Sequence, residues 1–366
     1  MHIDDDVVKI FSDRAFLPEG LRHSICLFPF WGDYLEHNGF HRFENWARAN
    51  WSLTSIGEAD IAVLPFDGRE FFEQDGPRLL ELRESAQRFV ERAESAGLRT
   101  VVLVNSDKID PLPLGDSTIV FRTSLDRQTR RRNEFCLSAT HEDIVATHFS
   151  GRMRWRPHND KPTVSFCGLA SREAPPLKRR LKLAVYWLLR QTFGYRIPPN
   201  DGTFLRHRAM SQLESSTTVE TNFVVRDQYF GGADDNESTH ARVRLEYVEN
   251  MLDSDYVLCV RGYGNFSFRF YEAMSLGRSP VLIDTQCVLP YDFLHDYGEL
   301  CVIVPESEVD RIGDYVHEYH SRFTPETYAE QQQRIRRFWE QWLSPKGFFE
   351  HLLAHFGTEY SGPETQ

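Results

Sequence analysis

The sequence predicts an α/β protein built from two doubly wound, Rossmann-like domains that face each other across a cleft, with C-terminal helices packing back on the body. Short apolar runs alternate with amphipathic helical stretches along most of the chain, the pattern of parallel strands joined by helical crossovers. The alternation breaks once, at the stretch 151–162 rich in Arg, His, Asn and Pro, and then restarts. The chain has 366 residues, more than one ordinary core holds.

In the first half, Ser24–Phe28, Asp60–Pro65, Thr100–Val104 and Thr118–Arg122 are expected strands. A helix is expected over Pro77–Ala96, where Leu79, Leu82, Ala86, Phe89, Val90 and Ala93 recur at helical spacing and Gly97 closes the run. After the break come, in expectation, strand Thr163–Cys167, helix Pro175–Gln191, strand Asn222–Arg226, helix Ser238–Leu252, strand Tyr256–Val260, helix Ser267–Leu276, and strands Pro280–Ile283 and Leu300–Val304. The remainder reads as one or two helices carrying Trp339, Trp342 and Phe348. Domains are therefore expected over 1–158 and 159–324, followed by helices and a tail over 325–366.

Composition narrows the function classes. Hydrophobic residues at 41% and charged residues at 26% exclude a disordered or fibrous chain. The aromatic share of 13% suits large cores and also sugar-lining clefts. A formal net charge of -12 repels phosphate backbones, so general nucleic-acid binding is excluded. The run Arg130, Arg131, Arg132, set beside Asp126 and Glu134, reads as a solvated face. The cysteines Cys26, Cys136, Cys167, Cys259, Cys287 and Cys301 show no metal-ligand spacing, and most lie in apolar runs, as buried thiols do. That usage points to a reducing cytoplasm. The acidic start Met1–Asp6 carries no signal-peptide pattern, and no stretch is apolar enough to span a membrane.

The chemistry concentrates in 255–283. An apolar strand runs out at Val260, a turn with Gly262 and Gly264 follows, and a helix starts near Ser267. Ligands of open α/β sheets bind at the carboxyl ends of strands. A helix N-terminus there offers free N–H groups and partial positive charge, and glycines allow a phosphate to approach the backbone. Arg261 and Arg269, flanking that terminus with Asn265 and Ser267 between them, suit a pyrophosphate, because each guanidinium can fork two phosphate oxygens. Glu272 shares a helix face with Arg269 and can accept from ribose hydroxyls; a helix-dipole or Arg–Glu surface role is the alternative. The segment is neither a dinucleotide fingerprint nor a Gly-Lys-Ser/Thr phosphate loop.

These residues resemble the exostosin domain, glycosyltransferase family 47. The similarity lies in Val260-Arg-Gly, in Ser267-Phe-Arg-Phe-Tyr-Glu-Ala, in Pro280-Val-Leu-Ile and in Leu289-Pro-Tyr. Val260 stands where the family usually has proline, Tyr291 where it has phenylalanine, and Arg278 where it has a small residue or cysteine. Weaker similarity reaches back to Ser165-Phe-Cys-Gly-Leu-Ala-Ser-Arg172. The resemblance implies the two-domain arrangement called GT-B, with the donor nucleotide in the C-terminal domain and the acceptor on the N-terminal side. It implies inversion at the anomeric carbon without an essential metal or cofactor. Arg261 and Arg269 would hold the diphosphate, Glu272 the ribose, and Gly168 and Arg172 the facing side of the pocket.

The implied activity is transfer of a sugar from a nucleotide-sugar, UDP-linked, to a glycan or polysaccharide acceptor. The family's eukaryotic members carry a membrane anchor; its absence here suggests a bacterial, cytoplasmic version. Inversion needs a general base. Asp33 and His37, in the aromatic loop 30–41, are the candidates, with Asp67 a third. His37 and His41 have helical metal spacing, but Asn38-Gly39 between them signals a turn, and Asp234-Asp235 reads as loop rather than metal pair. A fucosyltransferase-like enzyme using a GDP-sugar and a catalytically silent nucleotide-sugar or glycan-binding protein remain alternatives.

Overall fold

The computed structural model describes residues 7–21, 27–31, 41–139, 141–171, 202–226 and 237–357, together with 178, 181, 182, 185, 188 and 189. The chain forms two compact units. One comprises Met1–Glu142, Val288–Tyr291 and Trp342–Gln366; the other comprises Asp143–Cys287 and Asp292–Gln341.

The first unit holds a six-stranded sheet of order β2-β1-β3-β4-β5-β6, every pair parallel. Its strands are β1 (Val8–Phe11), β2 (Trp51–Leu53), β3 (Ile61–Val63), β4 (Thr100–Val104), β5 (Thr118–Arg122) and β6 (Glu134–Cys136). Helix α1 (His41–Asn50) leads into β2, and α2 (Gly76–Ser95) crosses from β3 to β4. Helix α2 buries Leu82, Ala86, Phe89, Val90 and Ala93, the stripe its spacing predicts. Phe89 stacks on Phe11 of β1 at 5.4 Å between ring centres.

Two expectations change here. The strand expected at Ser24–Phe28 falls largely outside the described residues, and Phe28 opens a one-turn helix, Phe28–Trp31. Strand β6 escapes a hydrophobicity reading because it begins with Glu134. That carboxylate is buried against Arg122 at 2.9 Å, and Arg122 also donates to the carbonyls of Lys108 and Asp110. The expected solvated run is not wholly solvated either. Arg130 is buried, donates to the Glu134 carbonyl at 2.7 Å and lies over Phe135.

The second unit holds a five-stranded parallel sheet of order β11-β10-β9-β7-β8. Its strands are β7 (Thr163–Leu169), β8 (Glu220–Arg226), β9 (Tyr256–Cys259), β10 (Ser279–Asp284) and β11 (Val302–Pro305). Its helices are α3 (Gly202–Ser215), α4 (Glu237–Leu252), α5 (Phe268–Ser275), α6 (Ile312–His320) and α7 (Pro325–Phe338). The chain passes from β7 outward to β8, then returns to the opposite side of β7 for β9. The strand order therefore reverses between β7 and β9, the topological switch point at which such sheets take ligands.

The stretch 151–162 has no regular secondary structure, yet it is packed rather than loose. Gln332 of α7 accepts from the Arg156 N–H and donates to the Arg156 carbonyl, both at 2.9 Å, as a paired strand would. Arg278, whose presence the sequence leaves unexplained, is fully buried beside it. Its guanidinium donates to the carbonyls of Arg154, Leu252 and Leu276 and to the Gln332 side chain. Burial pulls its pKa down to about 10. Arg278 thus ties the incoming segment to the end of α4 and to α7. Among the described residues, no helix is long and apolar enough to cross a membrane.

Candidate functional site

Strand β9 is buried throughout and delivers the chain at Val260 to the switch point. The turn closes with the Gly262 N–H on the Phe266 carbonyl at 3.0 Å, and Asn265 fixes it from below. Buried Asn265 donates to the Thr285 carbonyl at 3.2 Å and accepts from the Thr285 hydroxyl at 2.6 Å. Asn265 accordingly shapes the turn through Thr285. Gly264 is buried and Gly262 half-buried. Ser267 is the N-cap of α5, but its hydroxyl makes no capping bond.

Arg206 of α3 spans the switch point. One nitrogen donates to the carbonyl of Leu169 at the end of β7, the other to the carbonyl of Arg261 just past β9, each at 3.0 Å. The first residue of α3 is Gly202 for a steric reason: a Cβ there would lie 2.3 Å from the Arg261 carbonyl oxygen.

Arg269, in the first turn of α5, points back across the sheet. It donates to the Cys167 carbonyl at 2.8 Å and lies over the Phe166 ring at 4.4 Å. Burial opposes its charge, but Tyr247, Cys259, Glu272 and Cys167 more than offset that and lift its pKa. Its Nε is buried without a partner. Gly168, with φ +148, stands where a Cβ would come within 2.9 Å of that guanidinium. The sequence-predicted residues Gly168 and Arg269 are thereby brought together.

Glu272 lies one turn further along α5, 7% exposed. Its two oxygens accept from Arg244 Nη1 at 2.7 Å and from the Tyr247 hydroxyl at 2.5 Å, both side chains of α4. The Arg–Glu pair considered from sequence does form, but at a buried carboxylate rather than on the surface. The partner is Arg244, and the carboxylate is buried. Burial, and then the charge on Glu272, holds the Tyr247 hydroxyl protonated far above its ordinary range. Arg226, the last residue of β8, pairs with Glu246 of α4. Burial raises the Cys167 thiol pKa, against the pull of Arg226.

Arg206, Arg226, Arg244, Arg261 and Arg269 thus gather at the carboxyl ends of β7, β8 and β9, with Glu246 and Glu272 as counter-charges. A concentration of guanidiniums beside a helix N-terminus is suited to a phosphate-bearing ligand. Arg261 itself is half-buried, its guanidinium donating to the Tyr263 carbonyl at 3.3 Å. Sequence reading missed Arg206, Arg226, Arg244 and Tyr247. Arg226 had a usable signal, since it ends an expected strand; Arg244 and Tyr247 share a helix face by their spacing of three.

Other expected site residues fall elsewhere. Asp33, His37 and Arg172 lie outside the described residues, as do Asp234 and Asp235. Asp67 is buried and its carboxylate accepts from the N–H groups of Arg69 and Asn105 at 2.9 and 3.0 Å, a turn-holding arrangement. Among the described residues, no group of three or more His, Cys, Asp or Glu side chains is arranged to hold a metal ion.

Residues 200–319 match the Exostosin GT47 domain. A probable glucuronosyltransferase of Oryza sativa subsp. japonica is 36% identical over 66 residues, which is 18% of this chain and 16% of that protein. The chain thus aligns with less than a fifth of that relative. Among solved structures, TarM covers 81% of this chain with 55% of its own length, at 12% identity and a TM-score of 0.37. A mutant of S. aureus TarM in complex with fondaparinux, alpha-GlcNAc-glycerol and UDP gives 81%, 55%, 13% and 0.34 for the same quantities. The matched residues begin just before α3 and run through α6, so they carry the turn 261–266, Arg269 and Glu272. The residues similar to the Exostosin GT47 domain are thus those built around the switch point of the second sheet.

Proposed function

We propose that the protein is an inverting glycosyltransferase that moves a sugar from a UDP-linked donor to a glycan or polysaccharide acceptor. The observation that carries this reading is the arrangement of Arg261 and Arg269 about the N-terminus of α5 with buried Glu272 one turn on, inside the GT47-matching residues. The diphosphate would lie against the turn 261–266 and the unused Ser267 hydroxyl, with the ribose towards Glu272. A carboxylate offers about four lone-pair sites, so a ribose hydroxyl would share Glu272 with Arg244 and Tyr247.

In the chemical step the acceptor hydroxyl loses its proton to a general base and attacks the anomeric carbon, while the diphosphate leaves with its oxygen. The guanidiniums and the helix N-terminus stabilise the charge that develops on that leaving oxygen. Such stabilisation needs no metal ion, so activity is expected to survive excess chelator. Asp33 and His37 remain the proposed bases. The glucuronosyltransferase named above makes uronosyl transfer the first donor class to test.

The test is calorimetric titration with UDP and GDP, beside Arg261→Ala. Selective UDP binding that is lost in the variant supports the reading. GDP preference supports a fucosyltransferase-like donor. Binding without turnover of any donor screened supports a silent nucleotide-sugar-binding protein.

A further inference from the structure

Among the described residues, the strongly exposed aromatic side chains are Trp155, Tyr263 and Phe268. Two of these three stand where the chain turns into α5, Tyr263 at 45% and Phe268 at 48% exposure. A single exposed ring needs no explanation. These two belong to a turn that is pinned along its length. Asn265 is anchored on Thr285, the Gly262 N–H bonds the Phe266 carbonyl, and the Arg261 guanidinium donates to the Tyr263 carbonyl at 3.3 Å. Half-buried Phe266 meets the Phe268 ring edge-on at 5.2 Å between centres. The bonds that fix the backbone thus leave two large rings in solvent, on a support that has little freedom left to lose when a ligand covers them.

The chemistry of the ligand says what covers them. In the donor reading the diphosphate lies on this turn and the ribose towards Glu272, one turn into α5 and 7% exposed. A nucleotide-sugar is a chain of fixed order: base, ribose, diphosphate, sugar. The base therefore travels with the ribose, and the sugar leaves the diphosphate at its other end. Tyr263 is two residues from Arg261 and Phe268 is next to Arg269, so both rings border the phosphate-suited turn. A pyranose is matched to such rings. Its ring C–H bonds make an apolar face while its hydroxyls project around the rim, so an aromatic side chain can cover the face and leave the hydroxyls to water.

We propose that Tyr263 and Phe268 are the sugar subsite of the donor pocket, stacking on the C–H face of the transferred pyranose while Arg261 and Arg269 hold the diphosphate. The inference rests on the donor reading and adds the residues that recognise the sugar itself.

The test is calorimetric titration, without acceptor, of the wild type and the double variant Tyr263→Ala/Phe268→Ala. The probes are UDP, UDP-glucose, UDP-glucuronate and UDP-N-acetylglucosamine. The expected result is unchanged affinity for UDP and about tenfold weaker binding of the best UDP-sugar in the variant. Tyr263→Phe, which keeps the ring, should retain the wild-type ratio of UDP-sugar to UDP affinity. Both exposed side chains can be removed without opening the core, and circular dichroism checks the fold. Equal loss of UDP and UDP-sugar binding overturns the proposal, because the rings then serve the base or the turn. Unchanged donor binding with a raised acceptor KM also overturns it and gives the rings to the acceptor. In both cases UDP binding by the wild type leaves the donor reading standing. A wild type that binds no UDP sinks the donor reading and this subsite with it.

Discussion

Arg269 reaches the Cys167 carbonyl at 2.8 Å because Gly168 has no side chain; a Cβ at 168 would stand 2.9 Å from the same guanidinium nitrogen. The positive φ of Gly168 adds a backbone reason for glycine. Gly168→Ala should therefore displace Arg269 without disturbing the core beneath β7. The expected outcome is about tenfold weaker UDP binding by calorimetry, the loss of roughly one charge-assisted hydrogen bond. Unchanged affinity would show that the position of Arg269 is irrelevant to the ligand.

Glu272 invites a paired test because it has two jobs. Removing it leaves Arg244 and Tyr247 of α4 without their shared acceptor. Glu272→Ala should cost about 1–3 kcal/mol of stability in urea unfolding and also weaken UDP binding. Tyr247→Phe keeps the carboxylate and deletes one bond, so it should cost about 1 kcal/mol of stability and leave most of the nucleotide affinity. A Tyr247→Phe variant as poor in UDP binding as Glu272→Ala would argue that the carboxylate acts only by bracing α4.

The turn 261–266 can be displaced without touching its own residues. Gly202→Ala would push a methyl group into the Arg261 carbonyl, 2.3 Å away in the present geometry. UDP affinity is expected to fall at least as far as in Gly168→Ala, with the thermal midpoint lowered. Crystallographic displacement of the turn in that variant would complete the test.

Acid sensitivity should trace partly to His355. This side chain is buried in the first unit among Phe121, Phe135 and Tyr291, and burial pulls its pKa down to about 3 from 6.5. Between those values the unfolded chain takes up a proton that the folded chain refuses. Stability therefore falls as pH drops below 6.5, by up to about 1.4 kcal/mol per pH unit. His320 in the second unit is lowered in the same direction, again by burial first. His355→Leu should flatten the first unit's pH dependence between pH 6.5 and 4; an unchanged slope in urea midpoints would exclude His355 as its source.

Much of the second sheet was legible because its strands are apolar runs punctuated by glycine and proline. Tyr256–Cys259 and Ser279–Asp284 lie within a residue of expectation. Strands β1, β2 and β6 were not legible, for they are short and mix charged or polar residues with apolar ones, as Lys9, Ser52 and Glu134 show. Position 178 and the helical residues after it were foreseen only as part of a longer helix, Pro175–Gln191. In the candidate site, Arg261, Arg269 and Glu272 could be read from one contiguous segment. Their partners could not: Arg206 and Arg244 approach from helices distant in sequence, and only the fold brings them to the ends of β7 and β9. Arg278 illustrates the same limit, since its four acceptors come from four separate segments.

The short helix Pro345–Glu350 belongs to the first unit. Phe348 packs on Phe121 of β5, its carbonyl takes the Tyr291 hydroxyl, and Arg99 donates to the Phe356 carbonyl across 257 residues of sequence. The sheet translated first is thus finished with residues translated after nearly all of the second unit. On the ribosome, the second unit has its complete set of strands and helices while the first still waits for its aromatic closure. The order in which the two units are completed is the reverse of the order in which their sheets are made, so a stop codon near 340 is expected to strike hardest at the unit begun earliest.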